Sequence, residues 1–336
     1  MTTENFNDTI NELVENLVTS DNLIAAYNSI SSVDTEALIN DLTNSDAETI
    51  IADLTAAGVK DETITDFEDV FSDFGSKIIS VLNGADAGFV FNINGDDNNL
   101  TGGDENDAVI NIDADDSTLT GNDGDDAVIN FGSGNNTLNG NSGEDFLANL
   151  GTGNNTLNGG DNRDLLVNIG TGNNTLNGGN GSDTLINAGT GNNTLNGGSG
   201  SDTLVNFGSG ATLNGGNGSD TLVGGDGDDI LVGGNGNDVL TGGDGADTFK
   251  VSAEFSFNFS FFNFSFDWET SGEDTILDFD ASEGDVIELD LTDIFGIYDR
   301  NSLSFDSASG ELSVDGNVLA TLDGVSDFDV SSVVIV

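Results

Sequence analysis

The string NNTLNG recurs every 19 residues in the middle of the chain, beginning at Asn135, Asn154, Asn173 and Asn192. Each period divides into a nine-residue half, such as GGNGSDTLI (178–186), and a ten-residue half, such as NAGTGNNTLN (187–196). From Gly215 onwards only nine-residue units follow: GGNGSDTLV, GGDGDDILV, GGNGNDVLT and GGDGADTFK. A repeat this short indicates a solenoid, in which each unit buries its apolar side chains against its neighbours.

Each unit has room for one glycine-rich turn and one short β-strand. Glycine permits the positive φ angles of a tight turn, and the residues that follow are β-formers. Two units therefore make one coil, and coils stacked about 4.8 Å apart make two parallel sheets. One predicted inward ladder is Val109, Val128, Leu147, Leu166, Leu185, Leu204, Leu222 and Leu240. The facing ladder is Leu100, Leu119, Leu138, Leu157, Leu176, Leu195, Leu213, Leu231 and Phe249.

An aspartate occupies the same position in the nine-residue turns. Along one edge of the predicted roll these residues are Asp107, Asp126, Asp145, Asp164, Asp183, Asp202, Asp220 and Asp238. The opposite edge has Asn98, Ser117, Asn136, Asn155, Asn174, Asn193 and Ala211 at the matching position, and then Asp229 and Asp247. We call these two rows the aspartate edge and the asparagine edge.

The turn pattern G-G-x-G-x-D favours calcium, which takes six to eight oxygen ligands. A single turn offers backbone carbonyls and one carboxylate, and the same turn one coil later supplies the rest. The pattern predicts about eight ions, mostly on the aspartate edge, with about one among the last coils of the asparagine edge and stacked amides along the rest. The candidate turn glycines are Gly178, Gly181, Gly197, Gly200, Gly215, Gly218, Gly224, Gly227, Gly233 and Gly236. The alternative is that aspartate merely suits such turns, but mutual repulsion disfavours eight stacked carboxylates without cations.

Composition excludes several classes of function. With 61 Asp+Glu against 5 Lys+Arg, the net charge of −56 excludes nucleic-acid binding and disfavours anionic lipid surfaces. The chain has no His and no Cys, which removes the common catalytic triads, histidine zinc sites and disulfides. No apolar run approaches the ~20 residues of a membrane span. We therefore expect a protein that is not an enzyme, although a carboxylate-based polysaccharide-active enzyme stays open on residue type.

The chain divides into three predicted regions, and the fold class is mainly β. Residues 1–82 have helical spacing of apolar residues and are predicted to form an N-terminal helical cap. Residues 83–250 form the parallel β-roll. Residues 251–336 are predicted to form a β-sandwich-like cap that includes a Phe-rich strand, EFSFNFSFFNFSFDW (254–268).

The nine-residue units resemble the RTX, or hemolysin-type, calcium-binding nonapeptide G-G-x-G-x-D-x-U-x. Two turns, GGDEND (102–107) and GGDNRD (159–164), lack its glycine at the fourth position. The region 242–336 is similar to the C-terminal segments of RTX proteins. The resemblance implies secretion by a type I machinery to the exterior or surface of a Gram-negative-type bacterium, which agrees with the lack of a Sec-type signal at the N-terminus. It also implies a chain that folds only where calcium is millimolar.

The leading functional hypothesis is a secreted structural protein that self-associates into a surface layer, filament or biofilm matrix, with cell-surface polysaccharide as a further candidate partner. One reason is an apolar-Asn-apolar pattern, as in Ile129-Asn130-Phe131 and Ile186-Asn187-Ala188. Strand alternation predicts that the asparagines point inward and the apolar residues form an exposed ribbon. The second reason is the Phe-rich strand. Internal packing of both features is the alternative.

A second hypothesis is an ice-binding or adhesin solenoid. Thr152, Thr171 and Thr190 form a rank beside asparagines at 135, 154, 173 and 192, flanked by Ser133 and Ser209. The 19-residue unit with its GTGN turns resembles that of RTX ice-binding adhesin domains. The next residue is Asn where that pattern has Asp. Ordinary turn chemistry is the alternative explanation of these residues.

Overall fold

Successive strands of the chain alternate between two parallel sheets, as the repeat predicts. The computed structural model describes residues 89–93, 99–112, 115–260, 263–270, 272–292, 303–314 and 316–335. The helical cap predicted for residues 1–82 and the predicted position of Asn98 lie outside these residues.

The described strands, in chain order, are β1 (Phe89–Ile93), β2 (Asn99–Thr101), β3 (Ala108–Ile112), β4 (Thr118–Asp123), β5 (Ala127–Asn130), β6 (Thr137–Ser142), β7 (Phe146–Asn149), β8 (Thr156–Asp161), β9 (Leu165–Asn168), β10 (Thr175–Asn180), β11 (Thr184–Asn187), β12 (Thr194–Ser199), β13 (Thr203–Asn206), β14 (Thr212–Asn217), β15 (Thr221–Asp226), β16 (Ile230–Asn235), β17 (Val239–Asp244), β18 (Thr248–Ser260), β19 (Asn263–Thr270), β20 (Asp274–Ile276), β21 (Val286–Thr292), β22 (Leu303–Asp306), β23 (Glu311–Val314), β24 (Asn317–Leu322) and β25 (Val334–Ile335). A short 3₁₀ turn covers Val330–Ser332.

The strand order shows that consecutive coils lie side by side. The first sheet contains the odd-numbered strands from β1 to β17, followed by β20, β24, β23 and β22. The second sheet contains the even-numbered strands from β2 to β18, followed by β21 and β25. Pairing through the roll is parallel and in register, with Leu185 opposite Leu204 and Leu176 opposite Leu195. Strict register follows because a slip of one residue would expose the whole apolar ladder.

Both predicted leucine-rich ladders are confirmed. Their side chains are fully buried between the sheets, apart from Leu100 at the first coil, which is 8% exposed. Each strand contributes one large apolar side chain to this central layer, so the apolar core is only one side chain deep on each side. A core this thin leaves part of the stability of the roll to interactions at its two edges.

A ladder of buried asparagines runs beside the leucines of the first sheet. Its members are Asn111, Asn130, Asn149, Asn168, Asn187 and Asn206, each 0% exposed. The side-chain nitrogen of each donates to the side-chain oxygen of the next, as from Asn168 to Asn187 at 2.7 Å and from Asn187 to Asn206 at 2.6 Å. The prediction that these asparagines point inward is confirmed.

The apolar ribbon predicted beside this ladder is not exposed as predicted: half of its side chains are buried, and the others, Phe131, Leu150, Val167, Ile169 and Phe207, are half-buried. Ile129, Ile186 and Val205 are at most 9% exposed, and Ala188 is 4% exposed. Pairing runs from Ile186 to Asn187 without an irregularity, so strand alternation is kept. Alternation fixes the face on which a side chain lies, but whether that face meets solvent depends on the rest of the folded chain. The internal alternative is therefore favoured for these residues.

The strands after the roll continue its two sheets. β20 pairs with β17 and β21 pairs with β18, both in parallel. The antiparallel strands β22, β23 and β24 then close the first sheet. Phe279 lies between Phe249 and Phe328, with ring centroids 6.3 and 5.4 Å away, at the end of the apolar core. The predicted sandwich-like cap is thus an extension of the roll.

The Phe-rich segment was predicted as one strand but forms part of a hairpin. The second half of β18 pairs with β19 in antiparallel fashion, placing Phe257 opposite Phe266 and Phe259 opposite Phe264. Phe alternates with polar residues on both sides of the reversal, and the alternation is interrupted where Phe261 is followed by Phe262, between the two strands, a signal that could have marked the turn. In the described part of the chain, no helix has the length and apolarity needed to cross a membrane.

Candidate metal sites

The aspartate edge is a continuous ladder of buried carboxylates. Its residues are Asp107, Asp126, Asp145, Asp164, Asp183, Asp202, Asp220 and Asp238, each at most 2% exposed. The backbone N–H of each aspartate donates to Oδ1 of the aspartate one coil later, as from Asp126 to Asp145 and from Asp183 to Asp202, both at 2.8 Å. One carboxylate oxygen of each residue therefore holds adjacent coils together.

The second carboxylate oxygen is buried without a hydrogen-bond donor at most of these turns. This holds for Oδ2 of Asp126, Asp183, Asp202, Asp220, Asp229, Asp238 and Asp247. A buried polar oxygen without a partner is costly, and a buried carboxylate more so. Repetition of the same orphan atom in coil after coil indicates a ligand that the protein atoms alone do not include.

The first glycine of each turn leaves the space for such a ligand. A Cβ atom built on Gly178 would lie 2.5 Å from Oδ2 of Asp183 and 2.6 Å from the carbonyl oxygen of Gly197, one coil later. Gly197, Gly215 and Gly224 have the same surroundings in their own turns, whereas the atoms nearest to a Cβ on Gly233 all belong to Asp238. Apart from that at Gly233, each cradle combines a carboxylate oxygen with a carbonyl oxygen, and hard oxygen donors of this kind fit Ca²⁺.

The glycine at the fourth position of each turn sets the backbone shape of that turn. At Gly181, Gly200, Gly218, Gly227 and Gly236 the φ angle lies between 108° and 155°. The N–H of Gly181 donates to the carbonyl oxygen of Ser199 at 2.7 Å, and the N–H of Gly218 donates to that of Asn235 at 2.7 Å. All ten glycines predicted as candidate ligands thus lie in the turns that carry the buried aspartates.

The two turns without glycine at the fourth position differ from each other. Asn162 stands at the fourth position of its turn with a φ angle of 79°, which asparagine tolerates better than most residues. Neither Gly103 nor Glu105 in the first turn has a positive φ, and Oδ2 of Asp107 accepts a hydrogen bond from the N–H of Gly103. Oδ2 of Asp107 is therefore already hydrogen-bonded within its own turn, and Asp107 is the predicted calcium ligand that fits least well.

Burial raises the pKa of these carboxyl groups. The pKa is about 6 for Asp183 and Asp202, about 7 for Asp220 and about 8 for Asp126 and Asp229. Loss of hydration is the main cause, opposed by the donated backbone hydrogen bond and, at Asp126, Asp202, Asp220 and Asp229, reinforced by neighbouring carboxylates. The folded roll without a cation thus resists the charged form that calcium requires.

The raised pKa of these carboxyl groups predicts that the stability of the roll changes with pH in opposite directions with and without calcium. Without calcium, the folded chain binds more protons than the unfolded chain between roughly pH 4 and 8, so its stability is highest below pH 4 and falls as pH rises through the folded pKa values. With calcium, stability rises with pH because the ion needs ionised carboxylates. Denaturant unfolding at pH 5 and pH 8, in chelator and in millimolar calcium, measures both slopes. Equal slopes in the two conditions would contradict the prediction.

The asparagine edge is stacked in the same way by amides. The backbone N–H of Asn155 donates to Oδ1 of Asn174, and that of Asn174 to Oδ1 of Asn193, both at 2.8 Å. In the last coils the carboxylates return: Ala211 N–H donates to Asp229 Oδ1 at 2.6 Å and Asp229 N–H to Asp247 Oδ1 at 2.9 Å. Asp229 and Asp247 therefore lie where the sequence predicted them.

Two further aspartates, which we did not predict, extend the edges beyond the repeats. The N–H of Asp238 donates to Oδ1 of Asp274 at 3.2 Å, and the N–H of Asp247 donates to Oδ1 of Asp285 at 3.0 Å. Burial and the charge of Asp238 raise the pKa of Asp274 to about 8. The strings DTI and DVI begin at these residues and match the D-x-U end of the nonapeptide, a signal that could have found them.

Carboxylates at these edges occur once per turn. Within the ranges that the structure describes, no three or more acidic side chains group closely enough to hold a metal ion by themselves. Any ion at an edge would therefore be bound by carboxylates from adjacent coils together with backbone carbonyls, which is the donor set that the cradles offer.

A parallel roll with one buried carboxylate in most turns of one edge is a metal-binding β-solenoid. The family model of the RTX calcium-binding nonapeptide repeat (4 copies) matches residues 132–149, 148–167, 170–187, 185–205 and 214–249. The matched segments are RTX calcium-binding repeats, a type of repeat that is typical of secreted proteins, and the parallel solenoid is consistent with an RTX β-roll. A search of curated proteins found no match to the chain.

Filling one cradle should remove one site. In Gly197→Ala the new methyl would lie 2.4 Å from Oδ2 of Asp202 and 2.7 Å from the carbonyl of Gly215, so we expect the calcium content to fall by about one ion. Gly103→Ala is the control, because its methyl meets only Asp107 Oδ2 at 3.4 Å. Calcium per chain, measured after equilibrium dialysis, compares the two variants. An unchanged calcium content in Gly197→Ala would exclude the cradle as a site.

Proposed function

We propose that the protein is a secreted, calcium-dependent structural protein that self-associates outside the cell. Its expected location is the surface layer or matrix of a Gram-negative-type bacterium, reached by a type I secretion machinery, and it acts without catalysis. In this proposal calcium fills the cradles of the aspartate edge and those at Asp229 and Asp247, giving about eight ions. The RTX repeats support calcium binding and agree with secretion.

The observation that carries self-association is the free edge of β19. Among the described strands, β19 pairs only with β18, so its other edge offers backbone N–H and C=O groups to another strand. Such an edge is a template for pairing with a second chain unless it is covered or charged. The net charge is a second argument for calcium-dependent association, because a chain of charge −56 repels its copies until bound cations reduce that charge.

The test measures size and morphology with and without calcium. In a second variant, residues 257–266 are replaced by Asn-Gly, so that a two-residue turn closes the remaining pair Ser256 and Asp267. We expect the full chain to form large assemblies in millimolar calcium, and the shortened chain to bind calcium equally but to stay monomeric. Sedimentation and electron microscopy give the readout. A monodisperse full-length monomer in millimolar calcium would refute the proposal.

A second candidate function is binding to a regular surface such as ice. Thr152, Thr171 and Thr190 are exposed, and the asparagines at 154, 173 and 192 beside them are also exposed. The N–H of Asn173 donates to Oδ1 of Asn154 at 2.8 Å, which fixes the rank in place. Thermal hysteresis measured on the calcium-loaded protein tests this candidate, and its absence would remove it.

A further inference from the structure

The side-chain nitrogens of the asparagine edge lie among oxygen atoms. Nδ2 of Asn174 donates to the carbonyl oxygens of Gly170 and Gly172 at 3.3 and 3.0 Å and to Oδ1 of Asn193 at 3.2 Å. Nδ2 of Asn155 donates to the carbonyl of Gly153 at 3.1 Å and to Oδ1 of Asn174 at 3.2 Å. These asparagines are 1% exposed, so their amide groups are shielded from bulk solvent.

The aspartate edge shares the stacking hydrogen bond of the asparagine edge, although its repeat units are one residue shorter and its turns begin with a glycine that the asparagine turns lack. On both edges Oδ1 accepts the backbone N–H of the preceding coil at 2.8 Å, as at Asn174 and Asp183. The other terminal atom differs. It is an oxygen without a hydrogen-bond donor at Asp183 and a nitrogen with three acceptors at Asn174. The two edges therefore meet the same stacking requirement with opposite local charge.

The side-chain amide hydrogens of Asn174 bear a partial positive charge. They stabilise the carbonyl oxygens of this turn in the way that a bound cation otherwise would. Two or three inward carbonyl and amide oxygens with no donor would be costly in a buried position. Nδ2 donates to these oxygens with no metal. A carboxylate in its place would add negative charge to the oxygen cluster, and a divalent cation would then be required.

We infer that the asparagine edge is a row of divalent-cation sites, each filled by the amide of its own turn. One Asn→Asp change per turn, at two adjacent coils, converts such a position into a calcium site. The unsubstituted edge consequently gives order that does not depend on calcium, and the calcium requirement of the roll is one-sided. This inference rests on the calcium binding proposed for the aspartate edge.

The test compares two double variants with the same change of charge. Asn155→Asp with Asn174→Asp alters the buried positions, and the control, Asn154→Asp with Asn173→Asp, alters the exposed residues immediately before them. The control keeps its hydrogen bonds, because Oδ1 of Asn154 and of Asn173 accepts backbone N–H groups and a carboxylate oxygen can do the same. Calcium per chain is measured by elemental analysis after equilibrium dialysis, together with thermal unfolding in calcium and in chelator.

We expect the buried variant to bind about one ion more than the unsubstituted chain and to lose stability in chelator, with neither effect in the control. Asn174→Ala, which removes the amide without adding charge, should lower stability equally in both conditions. A buried variant that gains no ion, or that fails to fold even in excess calcium, would overturn the inference, as would a loss of stability in Asn174→Ala that depends on calcium. The calcium content of the unsubstituted chain separately tests the proposed function, since a chain with no bound calcium refutes that proposal alone.

Discussion

Removing calcium should strongly destabilise the roll between β2 and β18. Buried carboxylates such as those of Asp183, Asp202 and Asp220 would then lie in register with Oδ2 unpartnered, in a chain of net charge −56. A ligand that binds only the folded state contributes about 2.7 kcal/mol per site when its concentration is a hundred times its Kd. Several such sites together are comparable to the 5–15 kcal/mol typical of a whole domain, so the metal-free roll, with its thin leucine core, should keep only a small part of the stability of the loaded one.

The measurement is circular dichroism during a calcium titration after complete chelation. We expect the β signal to be lost at a much lower temperature in chelator, and the unfolding temperature to recover cooperatively in millimolar calcium. Magnesium at equal concentration is the control, because it requires near-octahedral geometry at shorter distances and keeps its own water. It should therefore recover much less structure, although it screens surface charge as calcium does. A chelated chain that unfolds at the same temperature as the calcium-loaded chain would exclude stabilising calcium sites, and equal recovery in both ions would show that general charge screening and not specific sites stabilises the fold.

The double variant Asp183→Asn with Asp202→Asn should change stability in opposite directions with and without calcium. Each new amide keeps an oxygen that can accept the backbone N–H of the preceding coil, which Oδ1 of Asp183 and Asp202 now accepts at 2.8 Å. The amides remove two buried negative charges, so the metal-free roll should be more stable. They also remove the carboxylates of adjacent calcium sites, which at a hundredfold excess of calcium over Kd costs about 2.7 kcal/mol for each site lost.

Denaturant unfolding of the double variant, in saturating calcium and in chelator, measures both effects. Asp123→Asn is a suitable control, since Asp123 is exposed at the end of β4 and its substitution changes charge without touching a cradle. The control should shift stability by less than about 0.5 kcal/mol in either condition. Destabilisation of the double variant by the same amount with and without calcium would mean that these aspartates act through the stacking hydrogen bonds alone.

The sequence was sufficient to predict the roll because its repeat leaves few alternatives. A unit such as GGNGSDTLI has room for one turn and one strand, and Leu185 is its central inward apolar position. The position of each aspartate followed from the same register, so the row from Asp126 to Asp238 and the later pair at Asp229 and Asp247 were all assigned to the correct edges. Local turn chemistry and strand alternation agree throughout the repeat, and such agreement makes a fold predictable.

Three features required the tertiary structure. Ile186 lies on the outer face, as alternation predicts. Alternation does not say whether that face is covered, and in the structure Ile186 is only 5% exposed. Asp274 joins the ladder 36 residues after Asp238, because the β18–β19 hairpin interrupts the coil between them. A fixed period does not foresee such an insertion.

The third feature is the contrast between the two edges. From the sequence alone, asparagine at position 174 and aspartate at position 183 were two versions of one turn residue, with and without charge. Only the structure shows that the amide nitrogen of Asn174 has three oxygen neighbours while Oδ2 of Asp183 has no hydrogen-bond donor. The sequence determined where the edges are, because periodicity is a local property. The structure decided how the side-chain atoms of each edge are satisfied, because the neighbours of Oδ2 at Asp183 and of Nδ2 at Asn174 come together only when the coils stack.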